Sequence, residues 1–117
     1  MILYEHIKDR EPFFTGWDTN EATYETGCPH CRERLSVVFK EMLDAAWGWR
    51  DRMDPSLRDP LAKVFGIDLS NRSIGSGMPG VVAKKCASCG ASSYFYFVFL
   101  EISNSVYRIS LRAAATD

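Results

Sequence analysis

The sequence lacks a strong excess of charge of either sign. Fourteen lysine and arginine residues stand against fifteen aspartate and glutamate residues, which gives a formal net charge of −1. A domain that binds nucleic acid mainly through its phosphates carries a clear basic excess. The composition therefore argues against nucleic acid as the main partner of this chain.

Long hydrophobic runs are also missing. The longest apolar run, Tyr94–Leu100, has the length of a strand and is far shorter than the roughly 20 residues of a membrane-spanning helix. A secretory signal has a basic segment followed by an apolar one, and the first residues do not show this pattern. We therefore expect no membrane partner and a cytoplasmic location. A length of 117 residues with 46% hydrophobic content predicts one domain over residues 1–117.

Side chains that commonly carry out catalysis are scarce. The chain has two histidines, His6 and His30, and no recognisable nucleophile motif. The Gly- and Ser-rich segment Ser73–Gly77 lacks the Lys-Ser/Thr ending of a phosphate-binding loop and predicts a flexible loop instead. We therefore expect this protein not to be an enzyme.

Four cysteines are the most informative residues that the chain does contain. Cys28 and Cys31 form one C-x2-C pair, and Cys86 and Cys89 form a second. Two intervening residues allow one tight turn to direct both sulfurs at a single point, and two such turns supply the four thiolates of a structural Zn²⁺ site. The pattern predicts one structural Zn²⁺. The alternatives are disulfides, an iron–sulfur cluster and a redox dithiol at the first pair.

The two cysteine pairs and their neighbours resemble the two knuckles of zinc-ribbon proteins. The matching segments are Gly27-Cys28-Pro29-His30-Cys31 and Cys86-Ala87-Ser88-Cys89-Gly90; we call residues 28–31 knuckle 1 and residues 86–89 knuckle 2. The resemblance covers roughly residues 21–39 and 81–112, and it implies an antiparallel sheet of three or more strands with zinc at one end. The chain departs from the pattern by Arg32, where glycine is frequent, and by a long insertion at about residues 40–80. Because zinc ribbons are functionally diverse, the resemblance implies a fold and a metal but no activity.

The pattern of apolar residues predicts an α+β fold. Strands are expected on both sides of knuckle 1, followed by a main helix from about Lys40 to Met53. Asp54-Pro55 and Asp59-Pro60 each have the pattern of an N-cap followed by proline at the first helical position. A short helix is expected from Asp59 to Phe65, with Gly66 as its C-terminal cap. Knuckle 2 is expected to lead into a β-hairpin over 94–111, formed by strands Tyr94–Ile102 and Val106–Leu111. The predicted fold is thus an antiparallel sheet of zinc-ribbon type with one main and one short helix inserted between the knuckles.

The main helix also supplies the candidate partner-binding residues. Trp47 and Trp49 are two positions apart and cannot share one narrow helical face, so one is expected to pack inward and the other to lie nearer the surface. Tryptophan, arginine and methionine are enriched at protein interfaces. The sequence therefore predicts a partner surface beside the loop Ser70–Gly80, formed by Trp47, Trp49, Arg50, Arg52 and Met53.

These observations favour a small non-enzymatic zinc-binding protein that acts by binding a partner protein, such as a toxin or an enzyme. An immunity protein, an antitoxin and an adaptor all fit this description. The first alternative is a nucleic-acid-binding or transcription-associated zinc ribbon, because basic residues lie near both knuckles and either bind a ligand or balance the charge of a zinc–thiolate centre. The basic residues of this first alternative are Arg32, Arg34, Lys40, Lys84 and Lys85. The second alternative is a redox protein that uses one C-x2-C pair.

Overall fold

The structure of this chain, a computed structural model, describes residues 2–6, 14–17, 22–70, 77–103 and 106–117. Within these ranges the fold is α+β, as predicted, with antiparallel strands and two helices. No helix in these ranges is long and apolar enough to cross a membrane. The elements in chain order are β1 Ile2–His6, β2 Phe14–Trp17, β3 Thr23–Gly27, β4 Arg34–Val38, α1 Phe39–Arg52, α2 Pro55–Phe65, β5 Met78–Lys85, β6 Ser92–Ser103 and β7 Val106–Thr116.

The main sheet has five strands, with the order β1-β7-β6-β5 and β2 paired to β7 as well. Strand β6 lies between β5 and β7. Its side chains are apolar on both faces of the sheet, and a strand of that kind is stable only when both faces are covered. Phe95 and Phe97 on one face are fully buried, and Tyr94 on the other is 5% exposed. Strand β6 is therefore the centre of the core.

Strands β3 and β4 form a separate two-stranded sheet. Leu35 and Val37 alternate with more exposed residues along β4, and both pack into the main core cluster with Phe95. The ring of Tyr24 on β3 lies 5.9 Å from the ring of Phe95 and 5.7 Å from that of Phe97. The hairpin thus covers the phenylalanine face of the main sheet, so the strands form two sheets instead of the single sheet that the zinc-ribbon resemblance implies.

Helix α1 begins directly after β4 and packs along β5, the edge strand. Its first half buries Phe39 and Met42 in the same cluster as the phenylalanine face, whereas Trp49 belongs to a second cluster with Tyr94. A Cβ atom on Gly80 of β5 would lie 2.7 Å from the backbone nitrogen of Ala46. The close contact between helix and strand therefore requires glycine at position 80.

Helix α2 begins after the first of the two N-cap patterns, Asp54-Pro55, and is therefore longer than the short helix predicted from Asp59. It starts at Pro55 instead of Asp59, because the Asp54 carboxylate accepts a 2.9 Å hydrogen bond from the Ser56 amide and caps the helix there. Asp59 instead forms an ion pair with Arg58 at 2.9 Å, and Pro60 lies inside the helix. The predicted C-terminal cap is confirmed, since Gly66 has the left-handed φ of 71°.

Strand β5 occupies part of the predicted loop, and strand β7 is longer than predicted. Strand β5 begins at Met78, so residues 78–80 belong to the sheet and not to the loop predicted over Ser70–Gly80; residues 71–76 of that loop lie outside the described residues. Pro79 is compatible with this strand because β5 lies at a sheet edge. Strand β7 continues beyond the predicted Leu111 to Thr116, where it pairs with β6 on one side and β1 on the other.

Candidate functional site

Each cysteine pair lies in the turn of a β-hairpin, and the two turns have the same backbone hydrogen bonds. In knuckle 1 the amide of Cys28 donates to the carbonyl of Glu33 at 2.7 Å, and the amide of Arg32 donates to the carbonyl of Cys28 at 2.8 Å. In knuckle 2 the amide of Cys86 donates to the carbonyl of Ala91 at 2.8 Å, and the amide of Gly90 donates to the carbonyl of Cys86 at 2.9 Å. Both turns place the residue after the second cysteine in the left-handed region, with φ 67° at Arg32 and 75° at Gly90.

The two turns bring all four sulfurs to one place, as the spacing predicted. The four Sγ atoms lie within 4.8 Å of one another. Two close contacts join the knuckles: the Sγ atoms of Cys28 and Cys89 lie 3.6 Å apart, and those of Cys31 and Cys86 lie 3.4 Å apart. The first cysteine of each pair is buried and the second is exposed. The site therefore joins the small sheet to the main sheet at the protein surface.

Backbone amides of the knuckles stabilise negative charge on the first cysteine of each pair. The amides of Cys31 and His30 donate to the Cys28 sulfur and lower the pKa of that thiol to about 6. The amide of Cys89 has the largest effect on Cys86, whose pKa is also lowered. A thiolate is the form of cysteine that binds a metal ion. The folded turns thus prepare two sulfurs for coordination.

The second cysteine of each pair shows the opposite shift. The amide of Glu33 lowers the pKa of Cys31, but partial desolvation of the sulfur and the sulfurs of the other three cysteines, Cys86 above all, outweigh it and raise that pKa to about 12. In Cys89 the amide of Ala91 likewise lowers the pKa, whereas partial desolvation of the sulfur and the Cys28 sulfur raise it. Four sulfurs this close repel one another when all are charged, so a bound cation is what allows all four to be thiolates.

The close distances between the sulfurs are compatible with a tetrahedral metal site. With Zn–S bonds of about 2.3 Å, the sulfurs of a tetrahedral site lie about 3.8 Å apart, close to the observed 3.4 and 3.6 Å. A disulfide requires about 2.05 Å, and all four cysteines are free. The redox alternative is also poorly matched, because knuckle 1 lies in a hairpin turn and does not open a helix. The donor set is that of a metal centre.

His30 links knuckle 1 to the end of the main sheet. Its Nε2 lies 2.9 Å from the hydroxyl oxygen of Thr116, and that hydroxyl donates to the carbonyl of Ser92 at 2.9 Å. Because the single threonine proton is used in the second bond, His30 must donate through Nε2–H. The residue therefore positions the knuckle against β7, a contact that the sequence analysis did not identify.

Two of the basic residues near the knuckles form ion pairs. Lys84 lies 2.9 Å from the Glu41 carboxylate at the start of α1, and Arg34 lies 3.8 Å from Glu25 across the hairpin. The other three, Arg32, Lys40 and Lys85, are exposed. Single-stranded nucleic acids commonly bind by stacking their bases on exposed aromatic rings, but the aromatic residues of β6 are largely buried in the core.

The predicted partner-binding residues do not form one surface. Trp49 and Arg50 are buried, at 4% and 8% exposed, and Arg50 donates to the carbonyl of Leu69 at 3.1 Å. Neither side chain is therefore exposed on the surface of the folded chain. Trp47, in contrast, is 67% exposed. The prediction that one tryptophan packs inward and the other lies nearer the surface is thus confirmed.

The remaining candidates lie in two different grooves beside α1. Arg52 and Met53 line a groove of about 260 Å³ next to Trp49 and Val81. Trp47 lines a second groove of about 330 Å³, which we call the Trp47 groove. Its walls include Leu43 and Trp47 of α1, Met78 of β5, Phe99 and Glu101 of β6, and Tyr107 of β7.

The Trp47 groove lies at the end of the sheet that is remote from the cysteines. Met78 pairs with Phe99 at one end of the β5–β6 hairpin, and Lys85 pairs with Ser92 beside knuckle 2. The eight residues of β5 separate the two ends by about 23 Å. Sequence reasoning missed this groove because its walls come from four elements; only the spacing of Leu43 and Trp47, four positions apart on a helix, indicates it.

Comparison with protein-family models, curated proteins and solved structures finds no match to this chain. What the chain binds must therefore be inferred from its own geometry. That geometry consists of four sulfur donors at one end of the sheet and an apolar groove at the other.

Proposed function

We propose that this chain is a small zinc-binding protein of zinc-ribbon type that acts by binding a partner protein and has no catalytic activity. An immunity protein or antitoxin that neutralises a toxin, or an adaptor, is the kind of protein proposed. The observation that carries the proposal is the exposure of Trp47 beside an apolar groove. Tryptophan is among the residues that most often dominate binding energy at protein interfaces.

Zinc is the proposed metal because of the donor set. Four thiolates with tetrahedral spacing suit Zn²⁺, which has no preferred geometry of its own and is commonly held by four cysteines in structural sites. Such a site has no open coordination position for a substrate, which supports a structural role. Cysteines that bind a metal instead of pairing in disulfides are typical of reducing compartments, and this supports the proposed cytoplasmic location.

The proposed role of the metal is to hold the two sheets together. Knuckle 1 belongs to the β3–β4 hairpin and knuckle 2 to the β5–β6 hairpin, and the residues between the pairs include both helices. Metal-binding free energy in such a site contributes directly to folding. The metal would thereby fix the position of α1, which carries Trp47, on the main sheet.

The experiment that tests this function is affinity capture with the intact, zinc-loaded protein. Wild type, Trp47→Ala and the control Val38→Ala, which shortens another exposed apolar side chain (41% exposed), are used as bait in native lysate with and without nuclease. We expect a protein that wild type and the control retain and Trp47→Ala loses. The retained protein is then purified, and its affinity for each variant is measured directly. Equal retention by all three variants would contradict the proposed surface.

Nucleic-acid binding is the second candidate, and the exposed Arg32, Lys40 and Lys85 near the knuckles favour it. Affinity for duplex and single-stranded probes, measured as a function of salt, separates the two functions. We expect weak and non-specific binding because the formal net charge is −1 and phosphate contacts need a basic surface. A sub-micromolar, strongly salt-dependent affinity would make nucleic acid the leading candidate, as would loss of the captured material on nuclease treatment.

A further inference from the structure

Two hydrogen bonds connect the two knuckles in addition to the cysteine sulfurs. His30 lies between the cysteines of knuckle 1, and its Nε2 lies 2.9 Å from the hydroxyl oxygen of Thr116. That hydroxyl donates to the carbonyl of Ser92 at 2.9 Å. Ser92 is the first residue of β6 and follows the second cysteine of knuckle 2 by three positions. We call His30, Thr116 and Ser92 the polar bridge, because they join the tip of one hairpin to the strand that follows the other knuckle.

The middle of the polar bridge is fixed in the main sheet. Thr116 is 5% exposed, and it pairs in register with Ser93 on one side and Ile2 on the other. A hydrogen bond to a buried group is costly to break, because water cannot reach the group to replace the lost partner. The Thr116 hydroxyl is thus a fixed acceptor for the His30 ring.

The two knuckles differ at the position of His30. His30 and Ser88 each precede the second cysteine of their pair, and the backbone amide of each donates to the sulfur of the first cysteine. The two residues are therefore equivalent. Histidine has a side chain long enough to reach Thr116, whereas Ser88 has a short, exposed side chain. Knuckle 2 already belongs to the main sheet through β5 and β6, so knuckle 1 is the one that needs a separate attachment.

Knuckle 1 is the less firmly attached half of the cysteine site. Strands β3 and β4 pair with each other in a sheet of their own, and the packing of Leu35 and Val37 holds β4 against the core. The four Sγ atoms lie within 4.8 Å of one another, and like charges at such distances repel. This repulsion favours opening of the turn. The polar bridge opposes it, because it attaches the turn itself to β7.

We infer that His30 and Thr116 are positioning residues that hold knuckle 1 closed on the proposed metal ion and thereby slow its release. The inference rests on the proposed zinc site and adds the residues that keep its two halves together. Local opening of a turn requires less free energy than unfolding of the whole domain, so metal release through an opened turn is the route that the bridge controls. One hydrogen bond contributes modestly to stability, so its loss should speed release without preventing zinc binding.

The test is the rate at which the zinc-loaded full chain transfers its zinc to an excess of a chromophoric chelator at fixed pH and reductant. Thr116→Val replaces the hydroxyl by a methyl group of similar size, and His30→Ala removes the donor from an exposed position. Each change should raise the release rate roughly three- to tenfold, the range expected for the loss of one hydrogen bond. Because both changes break the same bridge, the double variant should release zinc about as fast as the faster single variant.

Rescue variants and two controls separate this role from a general loss of stability. Thr116→Ser keeps the hydroxyl and His30→Gln keeps an N–H donor near the position of Nε2, so both should release zinc at nearly the wild-type rate. Ser88→Ala shortens the equivalent residue of knuckle 2. Ile109→Val shortens a buried side chain of β7 about 23 Å along the strand from Thr116 and lowers stability without touching the bridge. Both controls should leave the release rate unchanged, and circular dichroism establishes that each variant is folded.

Three results would overturn the inference: a wild-type release rate in Thr116→Val or His30→Ala, independent effects that multiply in the double variant, or equal acceleration by Ile109→Val. These outcomes are distinct from a failure of the proposed metal site. Wild-type protein that takes up no zinc through its cysteines removes the zinc site itself. Zinc that is bound by the four sulfurs and released at one rate from every variant removes the inference and leaves the zinc site.

Discussion

Arg32 and Gly90 occupy the same position in the two knuckles, and we expect their substitution to change stability in opposite directions. Both have a left-handed φ, 67° and 75°. This conformation places the Cβ atom of an L-residue too close to its own carbonyl oxygen, at a cost of roughly 1–2 kcal/mol, whereas glycine has no Cβ. Gly90→Ala should therefore destabilise the fold and Arg32→Gly should stabilise it.

The magnitudes follow from the space around each residue. A Cβ atom at position 90 would have only the Cε of Lys85 nearby, at 4.0 Å, so steric contact adds nothing to the cost of the backbone conformation. Replacing alanine by glycine also loosens the unfolded chain, which is worth about 0.4–1 kcal/mol in the opposite direction. The net change should be about 0.5–1 kcal/mol in each case, as a loss for Gly90→Ala and a gain for Arg32→Gly.

Urea unfolding at a fixed excess of zinc and reductant measures both changes, because bound metal contributes to apparent stability and must be held constant. Arg32→Ala is the control for Arg32→Gly, since it removes the same side chain but keeps the backbone cost. Gly90→Asn is the control for Gly90→Ala, since asparagine tolerates the left-handed region. A gain from Arg32→Ala equal to that from Arg32→Gly would refute the backbone argument, as would an unchanged free energy of unfolding in Gly90→Ala.

Three further predictions concern the cysteine site and the packing of α1. Cys86→Ser should abolish zinc binding and unfold or aggregate the protein, because the proposed metal would join the two sheets; a thermal transition close to that of wild type would contradict this. Trp49→Ala should cost about 3–5 kcal/mol because the side chain is buried, whereas exposed Trp47→Ala should change stability by less than about 0.5 kcal/mol. Equal losses in urea unfolding would show that this assignment of the two tryptophans is wrong. Gly80→Ala should cost about 1–3 kcal/mol, because its Cβ would lie 2.7 Å from the Ala46 nitrogen and α1 would have to move. A denaturation midpoint unchanged from wild type would contradict that close contact.

The local features of this protein were predictable from its sequence because they depend on nearby residues. The C-x2-C spacing dictates a tight turn, and the structure has such a turn at each pair. Gly66 ends α2 in the predicted left-handed conformation. The strands predicted on both sides of knuckle 1 and over Tyr94–Ile102 are present as β3, β4 and β6. Short-range rules suffice for features of this kind.

The features that the sequence did not predict depend on residues far apart in the chain. Ala113–Ala115 have low strand propensity, yet they extend β7 because it has paired neighbours on both sides. The burial of Trp49 instead of Trp47 depends on α2 and β5, which supply Leu61 and Val81 to the same cluster. The Trp47 groove likewise exists only after four elements are assembled. Helical periodicity alone cannot distinguish the two tryptophans.

The central claim is that four thiolates from two hairpins bind one zinc ion. X-ray absorption at the zinc edge of the purified protein, combined with elemental analysis, tests it most directly. We expect one zinc per chain with four sulfur neighbours at about 2.3 Å. Zinc coordinated by nitrogen or oxygen in place of these sulfurs, or metal-free protein with oxidised cysteines under native conditions, would contradict the claim.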